Sequence, residues 1–311
     1  MMLLFRRHRL LEWAGLLSLL VFPWLVGSLG LDFYVSFMTR VLIIGVAATS
    51  LNLILGYGGM VALGHAAFVG AGAYVVAMML DAQWEAVWLV WPAAVLFSAA
   101  LAWLIGVISL RTHGVYFIMI TLAFAQMVYY FFVSLRQYGG EDGFNLYERV
   151  NILGLDTDNE IIFYYVVLAV FIALLVAFSR LIRSHFGMAL IGIRENENRM
   201  QALGYPVFRL KLVAFVISGA VAGLAGALLA DLNQFVSPAL LHWTQSADYI
   251  IMVLVGGMGL RYGGVLGAAI ILGLEEFLRQ WTEFWHLPLG LLLLFVVFVA
   301  PRGLASLQRT R

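Results

Sequence analysis

The residues most able to do chemistry in this chain are few and scattered. There is no cysteine, which excludes disulfides, a thiol nucleophile and Cys-ligated metals. Motifs of zinc proteases, serine hydrolases and nucleotide-binding P-loops (HExxH, GxSxG and GxxxxGK[ST]) are missing. The six histidines have no metal-ligand spacing and stand at His8, His65, His113, His185, His242 and His286. The sequence therefore predicts no catalytic residue, no metal and no cofactor, and if the protein uses ATP, the ATPase is another chain.

Small residues crowd the stretch GYGGMVALGHAAFVGAGAY at 56–74. Gly58, Gly59 and Gly64 allow close helix packing or a broken helix whose free backbone groups meet a substrate. His65 lies at membrane depth, where an ionisable side chain faces protein or water. A second apolar stretch, VYFIMITLAFAQMVYYFF, carries Thr121 and Gln126. All six are candidates for a translocation pathway, and packing or hydrogen bonding between helices is the alternative for each.

Two polar features complete the chemical inventory. The segment 183–211, RSHFGMALIGIRENENRMQALGYPVFRLK, is too polar to span a membrane and predicts an amphipathic surface helix or a solvated linker. The buried side of that helix would hold apolar residues at Ala189, Ile191, Ile193, Met200 and Leu203. Glu275 and Glu276 lie within one turn of Arg279, which indicates a local ion pair.

These features must be positioned by membrane helices. The chain is 63% hydrophobic and 11% charged over 311 residues, far from a soluble domain. A span needs about 20 apolar residues, and spans of that length are helices because backbone amides in lipid must bond internally. Ten segments qualify, near 10–30, 34–56, 59–80, 86–110, 115–135, 160–182, 211–232, 246–260, 263–282 and 286–301. The prediction is an all-α polytopic membrane protein of about ten helices, in one domain over 1–311.

Basic residues predict the orientation. With the N-terminus inside, cytoplasmic pieces hold 14 of the 18 basic residues, and both termini are cytoplasmic. The longest outer loop, about 136–160, is acidic and contains YGGEDGF. A net charge of +1 gives no indication of nucleic-acid binding.

Five helices precede the outer loop and five follow it, which fits two inverted five-helix halves. Sequence support for such a repeat is limited to a loose echo between GYGG at 56–59 and GGMG at 256–259.

Several ordered stretches resemble the permease subunits of branched-chain amino acid ABC importers. They are the 56–74 stretch, RTHGVYFIMITLAFAQMVYYFF followed by GGEDG, GMALIGIRENENRMQALGYPVFRLKLVAFVISGAVAGLAGAL, and FVSPALLHWTQSADYIIMVLVGGMGLRYGGVLGA. The resemblance covers about residues 34–306. Such importers have two homologous permeases, and this chain is similar to the longer one. The resemblance implies a multi-pass protein of the bacterial inner membrane.

The resemblance also implies partners. These are a second homologous permease, two cytoplasmic ATPases and a periplasmic binding protein that delivers a hydrophobic amino acid. In this family the loop between the sixth and seventh helices carries a coupling helix that docks into the ATPase. The resemblance places ATPase coupling here at Arg194, Glu195, Asn196, Glu197, Asn198, Arg199, Ala202, Leu203 and Gly204. Gly204 is expected to form the turn after that helix, where a positive φ is often needed.

Three alternatives stay open at the level of sequence. Related permeases move urea, short amides or aromatic acids, and the GGEDG stretch favours the amino acid branch. A stand-alone secondary carrier is the second alternative, and the sparse intramembrane acids make it weaker. A channel would tolerate loss of the cytoplasmic helix, whereas an importer subunit would not.

Overall fold

The fold was obtained as a computed structural model, which describes residues 15, 17–26, 32–147, 149–150, 159–281 and 287–291. The two termini, whose cytoplasmic placement the sequence predicts, lie outside the described residues. So do parts of the predicted segments 10–30 and 286–301 and of the outer loop. The structural statements below concern the described residues.

Helices account for most of the described structure, as the apolar composition predicts. In chain order they are α1 (Leu17–Val26), α2 (Asp32–Asn52), α3 (His65–Asp81), α4 (Val87–Ser109), α5 (Val115–Ser134), α6 (Glu160–Arg183), α7 (His185–Glu195), α8 (Glu197–Ala202), α9 (Val207–Asn233), α10 (Trp243–Gly256) and α11 (Gly263–Arg279). Residues 287–291 are helical too. The all-α prediction is confirmed.

Within the described residues, five helices are long and apolar enough to cross a membrane. They are Phe33–Tyr57, which combines α2 with the turn that follows it, and α4, α5, α6 and α9. Two shorter apolar helices, α1 and α3, accompany them. The protein is therefore a multi-pass membrane protein, and the exact number of spans belongs to the proposal below.

The polar connection after α5 is folded back onto the bundle. It contains a 3-10 turn at Arg136–Tyr138 and a short strand β1 (Phe144–Asn145). This strand pairs antiparallel with β2 (Phe235–Val236), which follows α9. The pair ties the predicted outer loop to the connection between α9 and α10.

The third apolar segment is broken at its start. A π-helical turn (Leu53–Tyr57) ends the α2 span, residues 58–64 are not helical, and α3 begins only at His65. The sequence placed the start of this helix near residue 59. The difference follows from the glycines, because Gly59 has a positive φ of 68° that would interrupt a helix.

Two helices begin at mid-height in the bundle. The Ala66 amide, in the first turn of α3, donates to Ser246 Oγ in the first turn of α10 at 2.8 Å. Ser50 Oγ lies 2.8 Å from His65 Nε2. The Ser50 carbonyl accepts from Ser218 Oγ, near the middle of α9, at 2.5 Å. The helices α3 and α10 therefore start opposite each other near the centre of α9. Each follows a break in the α-helices, which before α10 includes a 3-10 turn at Pro238–Leu241.

The helix α9 packs closely against several other helices. It contacts α2, α3, α4 and α7, and its small residues allow the close approach that the sequence predicts. A Cβ on Gly72 would collide with the backbone of Gly223, and one on Gly226 would collide with the carbonyl of Val69. At these crossings only glycine fits.

Two glycine-rich stretches that echo each other in sequence contact each other in space. The amide of Gly259 and the carbonyl of Leu260 both bond the side chain of Asn52, at 3.0 and 2.8 Å. The two stretches therefore form one junction, and the inverted repeat stays a prediction.

Candidate functional site: the α7–α8 arm and its apolar turn

The polar segment 183–211 folds as an arm of two helices rather than one. Ser184 caps α7 by accepting from the Gly187 amide, and Asn196 caps α8 by accepting from the Arg199 amide at 2.9 Å. Asn196 adopts an extended conformation with φ −158° and ψ 99°, which separates the two helices. The single predicted helix is therefore wrong, because an N-cap residue must leave the helical conformation.

The end of the segment also differs from the prediction. The helix α9 begins at Val207, so Lys211 lies within a membrane helix and not in the loop. The loop proper ends at Pro206.

The buried side of the arm is largely the predicted one. Ala189 and Ile193 are buried, and Ile191 and Met200 are half-buried. Met200 lies against Gly192, so α8 folds back on α7. Leu203 is the exception, since it is 66% exposed. Its assignment to the buried side is wrong because the helix has already ended when the chain reaches it.

The chain leaves α8 through a glycine-ended turn. Gly204 has a φ of +85°, the conformation expected for the residue after the coupling helix. The Tyr205 amide donates to the Met200 carbonyl and the Gly204 amide donates to the Gln201 carbonyl. These two bonds are those of a Schellman motif, in which glycine avoids the cost of a Cβ at positive φ.

This turn presents an apolar surface. Leu203, Tyr205 and Phe208 are 66%, 47% and 39% exposed. We refer to residues 202–208 as the apolar turn. Exposed apolar side chains grouped beside charged ones are typical of a protein interaction site.

Glu197 points toward the bundle and holds the arm in place. Its carboxylate lies 2.6 Å from Lys211 Nζ, in the second turn of α9. It also lies 3.5 Å from His113 Nε2, in the connection between α4 and α5. Lys211 is the only lysine in the chain and is 9% exposed. Glu197 therefore joins three elements, which the sequence did not reveal.

The remaining predicted coupling residues are all exposed on the arm, namely Arg194, Glu195, Asn196, Asn198, Arg199 and Ala202. Arg194 differs from the others because its guanidinium also bonds the carbonyl of Gly56, in the π-helical turn after α2. The structure thus brings all nine predicted residues to one end of the bundle.

The six pathway candidates are not gathered on one surface. Gly58, Gly64, His65 and Thr121 are buried, Gly59 is exposed and Gln126 is half-buried. A Cβ on Gly64 would lie against the Thr121 carbonyl. The pathway role of these residues stays a prediction.

His65 is part of a buried polar cluster. Its Nε2 is 2.8 Å from Ser50 Oγ, and its ring packs edge-on against Phe68. Ser218 donates to the Ser50 carbonyl. These contacts hold α2, α3 and α9 together, which agrees with the packing interpretation.

One apolar cavity borders this cluster. It has a volume of about 260 Å³ between α2, α6 and α9, and its lining includes Thr49, Ser50 and Ser218. All three hydroxyls bond backbone carbonyls, so the walls offer no free donor. This cavity was not predictable from the sequence, since its lining comes from three separate segments.

The acidic pair near the end of α11 behaves as predicted. Glu275 Oε1 lies 2.6 Å from Arg279 Nη2, four residues later. This is a local pair on the helix surface. Asp231, buried near the end of α9 and accepting from Trp91 Nε1 at 2.9 Å, was not identified from the sequence.

Comparison with known proteins places this arrangement in a family. Residues 33–300 match the permease component of branched-chain amino acid transport systems. The high-affinity branched-chain amino acid transport system permease protein LivM of Salmonella typhimurium is 30% identical, over 97% of this chain and 76% of that protein. LivM of Escherichia coli is also 30% identical, over 88% of this chain and 70% of that protein.

A more distant relative comes from Methanocaldococcus jannaschii. Its probable branched-chain amino acid transport permease LivM is 27% identical over 46% of each chain. No solved structure gives a significant match. The family match spans most of the chain, including the α7–α8 arm and the broken start of α3. This chain therefore belongs to the family of branched-chain amino acid transport system permease components.

Proposed function

We propose that this chain is the membrane-spanning permease subunit of an ATP-driven importer for branched-chain or other hydrophobic amino acids. A periplasmic binding protein delivers the amino acid, a second homologous permease completes the channel, and two ATPase subunits drive it. The names of the LivM relatives support the substrate class. The observation that carries the proposal is the apolar turn, held outside the bundle by the partly buried ion pair between Glu197 and Lys211.

The proposed architecture is ten membrane helices in two inverted halves. Two parallel sequences of elements support it. In the first, α2 is followed by a non-helical stretch and by α3, which begins at mid-height; in the second, α9, residues 234–242 and α10 follow the same order. Packing is parallel too, since α9 contacts α3 and α4, while α2 contacts α10 and α11. Inverted halves meeting near the midplane are typical of transporters.

The proposed orientation places the α7–α8 arm in the cytoplasm of a bacterial cell, at the inner membrane. The distribution of basic residues supports it, because 14 of 18 then lie on the cytoplasmic side. The arm would then be accessible to an ATPase, and the acidic connection after α5 would face the binding protein.

The proposed coupling follows from the geometry of the arm. ATP binding and hydrolysis alternate the ATPase between two arrangements, and each favours a different packing of the permease helices. A rigid element must connect the two proteins. The arm is rigid because both of its helices are capped and because Glu197 fixes α8 to α9. Its apolar turn would seat in an ATPase groove.

Purification of the tagged chain from native membranes in mild detergent tests this function. We expect mass spectrometry to find a second permease and two ATPases, and the reconstituted complex to take up leucine only with ATP and the binding protein. Uptake of urea, an amide or an aromatic acid instead would keep the importer and correct the substrate. A chain purified alone that transports without ATP would contradict the proposal and favour the secondary carrier.

Replacing Leu203 with aspartate is expected to reduce the ATPase recovered with the chain by about fivefold, since removing an apolar contact from an interface commonly costs about 1 kcal/mol. Leu203 is exposed, so the substitution should leave the amount of folded permease near normal. The conservative Leu203→Met variant is the matched control and should retain the ATPase. Equal recovery with both variants would remove the apolar turn from the interface.

A further inference from the structure

Arg194 stands where three separate segments meet. The π-helical turn after α2 uses the carbonyls of Leu53, Ile54 and Leu55 to accept from the backbone amides at 58, 60 and 59. The next carbonyl, of Gly56, accepts from Arg194 Nη1. A guanidinium donor makes a charge-assisted bond to that carbonyl, which is stronger than a neutral one.

Two glycines make room for the arginine. A Cβ on Gly59 would lie 3.1 Å from Arg194 Cγ, and a Cβ on Gly259 would lie 2.9 Å from its Nη1. Both glycines have positive φ, of 68° and 71°. The side chain therefore lies between the α2–α3 connection and the α10–α11 connection, and each connection is shaped to receive it.

The two connections are also bonded directly to each other. Asn52 is fully buried, accepts from the Gly259 amide at 3.0 Å and donates to the Leu260 carbonyl at 2.8 Å. The arginine thus contacts a pre-assembled unit. One part of this unit belongs to a helix before the predicted outer loop and the other to helices after it.

Arg194 also lies near the apolar turn along the chain. It is in the last turn of α7, two residues before the Asn196 cap from which α8 begins. A movement of the arm that displaces the end of α7 would therefore act directly on the bond between Arg194 and the Gly56 carbonyl.

We propose that Arg194 is a positioning residue that transmits movement of the α7–α8 arm to the joined ends of α2 and α10. In this role Arg194, one of the predicted coupling residues, acts through its bond to the Gly56 carbonyl. This role rests on the proposed function, because it requires an ATPase to move the arm. It predicts a defect in coupling that is separate from a defect in docking.

Arg194→Met, in the purified complex, tests the role. Leucine taken up per ATP hydrolysed should fall by about tenfold, since a bond to a charged group commonly contributes about that factor. Arg194→Lys, which can still donate to the Gly56 carbonyl, should restore most of this ratio. Arg180→Met, at an exposed arginine near the end of α6, is the matched control and should resemble the unaltered chain.

The outcomes separate this role from the proposed function. A reduced ratio with an ATPase still bound, restored by lysine, supports transmission through Arg194. A normal ratio in Arg194→Met would overturn it, and so would loss of the bound ATPase without rescue by lysine. An unaltered chain that binds no ATPase would overturn the proposed function and this role with it.

Discussion

Replacing Glu197 with arginine is expected to lower ATP-dependent leucine uptake by about 30-fold. The variant loses the bond to Lys211 and sets a second cation beside a lysine that is 9% exposed. We expect the loss of this interaction to cost about 2 kcal/mol, a moderate figure because the Glu197 side chain is itself partly exposed. Since each 1.4 kcal/mol changes an equilibrium constant about tenfold, this cost corresponds to about 30-fold. The arm then leaves the position in which an ATPase can engage it. Uptake into proteoliposomes, normalised to the amount of permease, measures the effect.

The exchange of the two charges is the control. Glu197→Lys combined with Lys211→Glu places an anion on α9 and a cation on α8 and should recover much of the lost uptake. Recovery would show that the pair acts through its mutual attraction. Normal uptake by Glu197→Arg at normal expression would contradict the role of this pair in holding the arm.

Replacing Gly204 with valine is expected to lower uptake by about tenfold. A Cβ at this position meets nothing within 4 Å, so the change causes no clash with other residues. Its effect comes from the backbone, because a φ of +85° costs an L-residue about 1–2 kcal/mol, and valine is poorly tolerated there. The Schellman turn would open and the apolar turn would lose its fixed direction. ATP-dependent uptake and the yield of ATPase in the purified complex both measure this.

Gly204→Asn is the matched comparison. Asparagine tolerates a positive φ better than other non-glycine residues do, so this variant should retain most of the uptake that valine removes. If asparagine and valine lowered uptake equally, the requirement would be for the small size of glycine and not for its conformation.

Local chemistry made part of the site predictable from the sequence. The positive φ at Gly204 follows from a glycine after a short polar helix, and the Glu275–Arg279 pair follows from helical spacing. The long apolar segments predict membrane helices because hydropathy alone determines burial in lipid. The resemblance to the permease family rested on ordered motifs, and the family match over residues 33–300 confirms it.

Contacts between distant segments were not predictable. Arg194 and Gly56 are 138 positions apart, and Asn52 and Leu260 are 208 apart. No periodic pattern records such pairs. Leu203 was misplaced for a related reason, since a helical pattern was extended through a turn that ends it. The single lysine among 18 basic residues was a usable signal, because an unusual residue type at one position indicates a specific partner.

The central claim is that the apolar turn lies in the cytoplasm and docks an ATPase. The chain has no cysteine, so Ala202→Cys, at an exposed position of α8, provides a single reactive thiol. We predict that a membrane-impermeant maleimide labels it only in inside-out vesicles, and that a short bifunctional reagent joins it to the ATPase. Asp142→Cys, in the acidic loop, should label from the opposite side. Labelling of Ala202→Cys from outside, or a thiol that never reaches an ATPase in the active complex, would contradict the account.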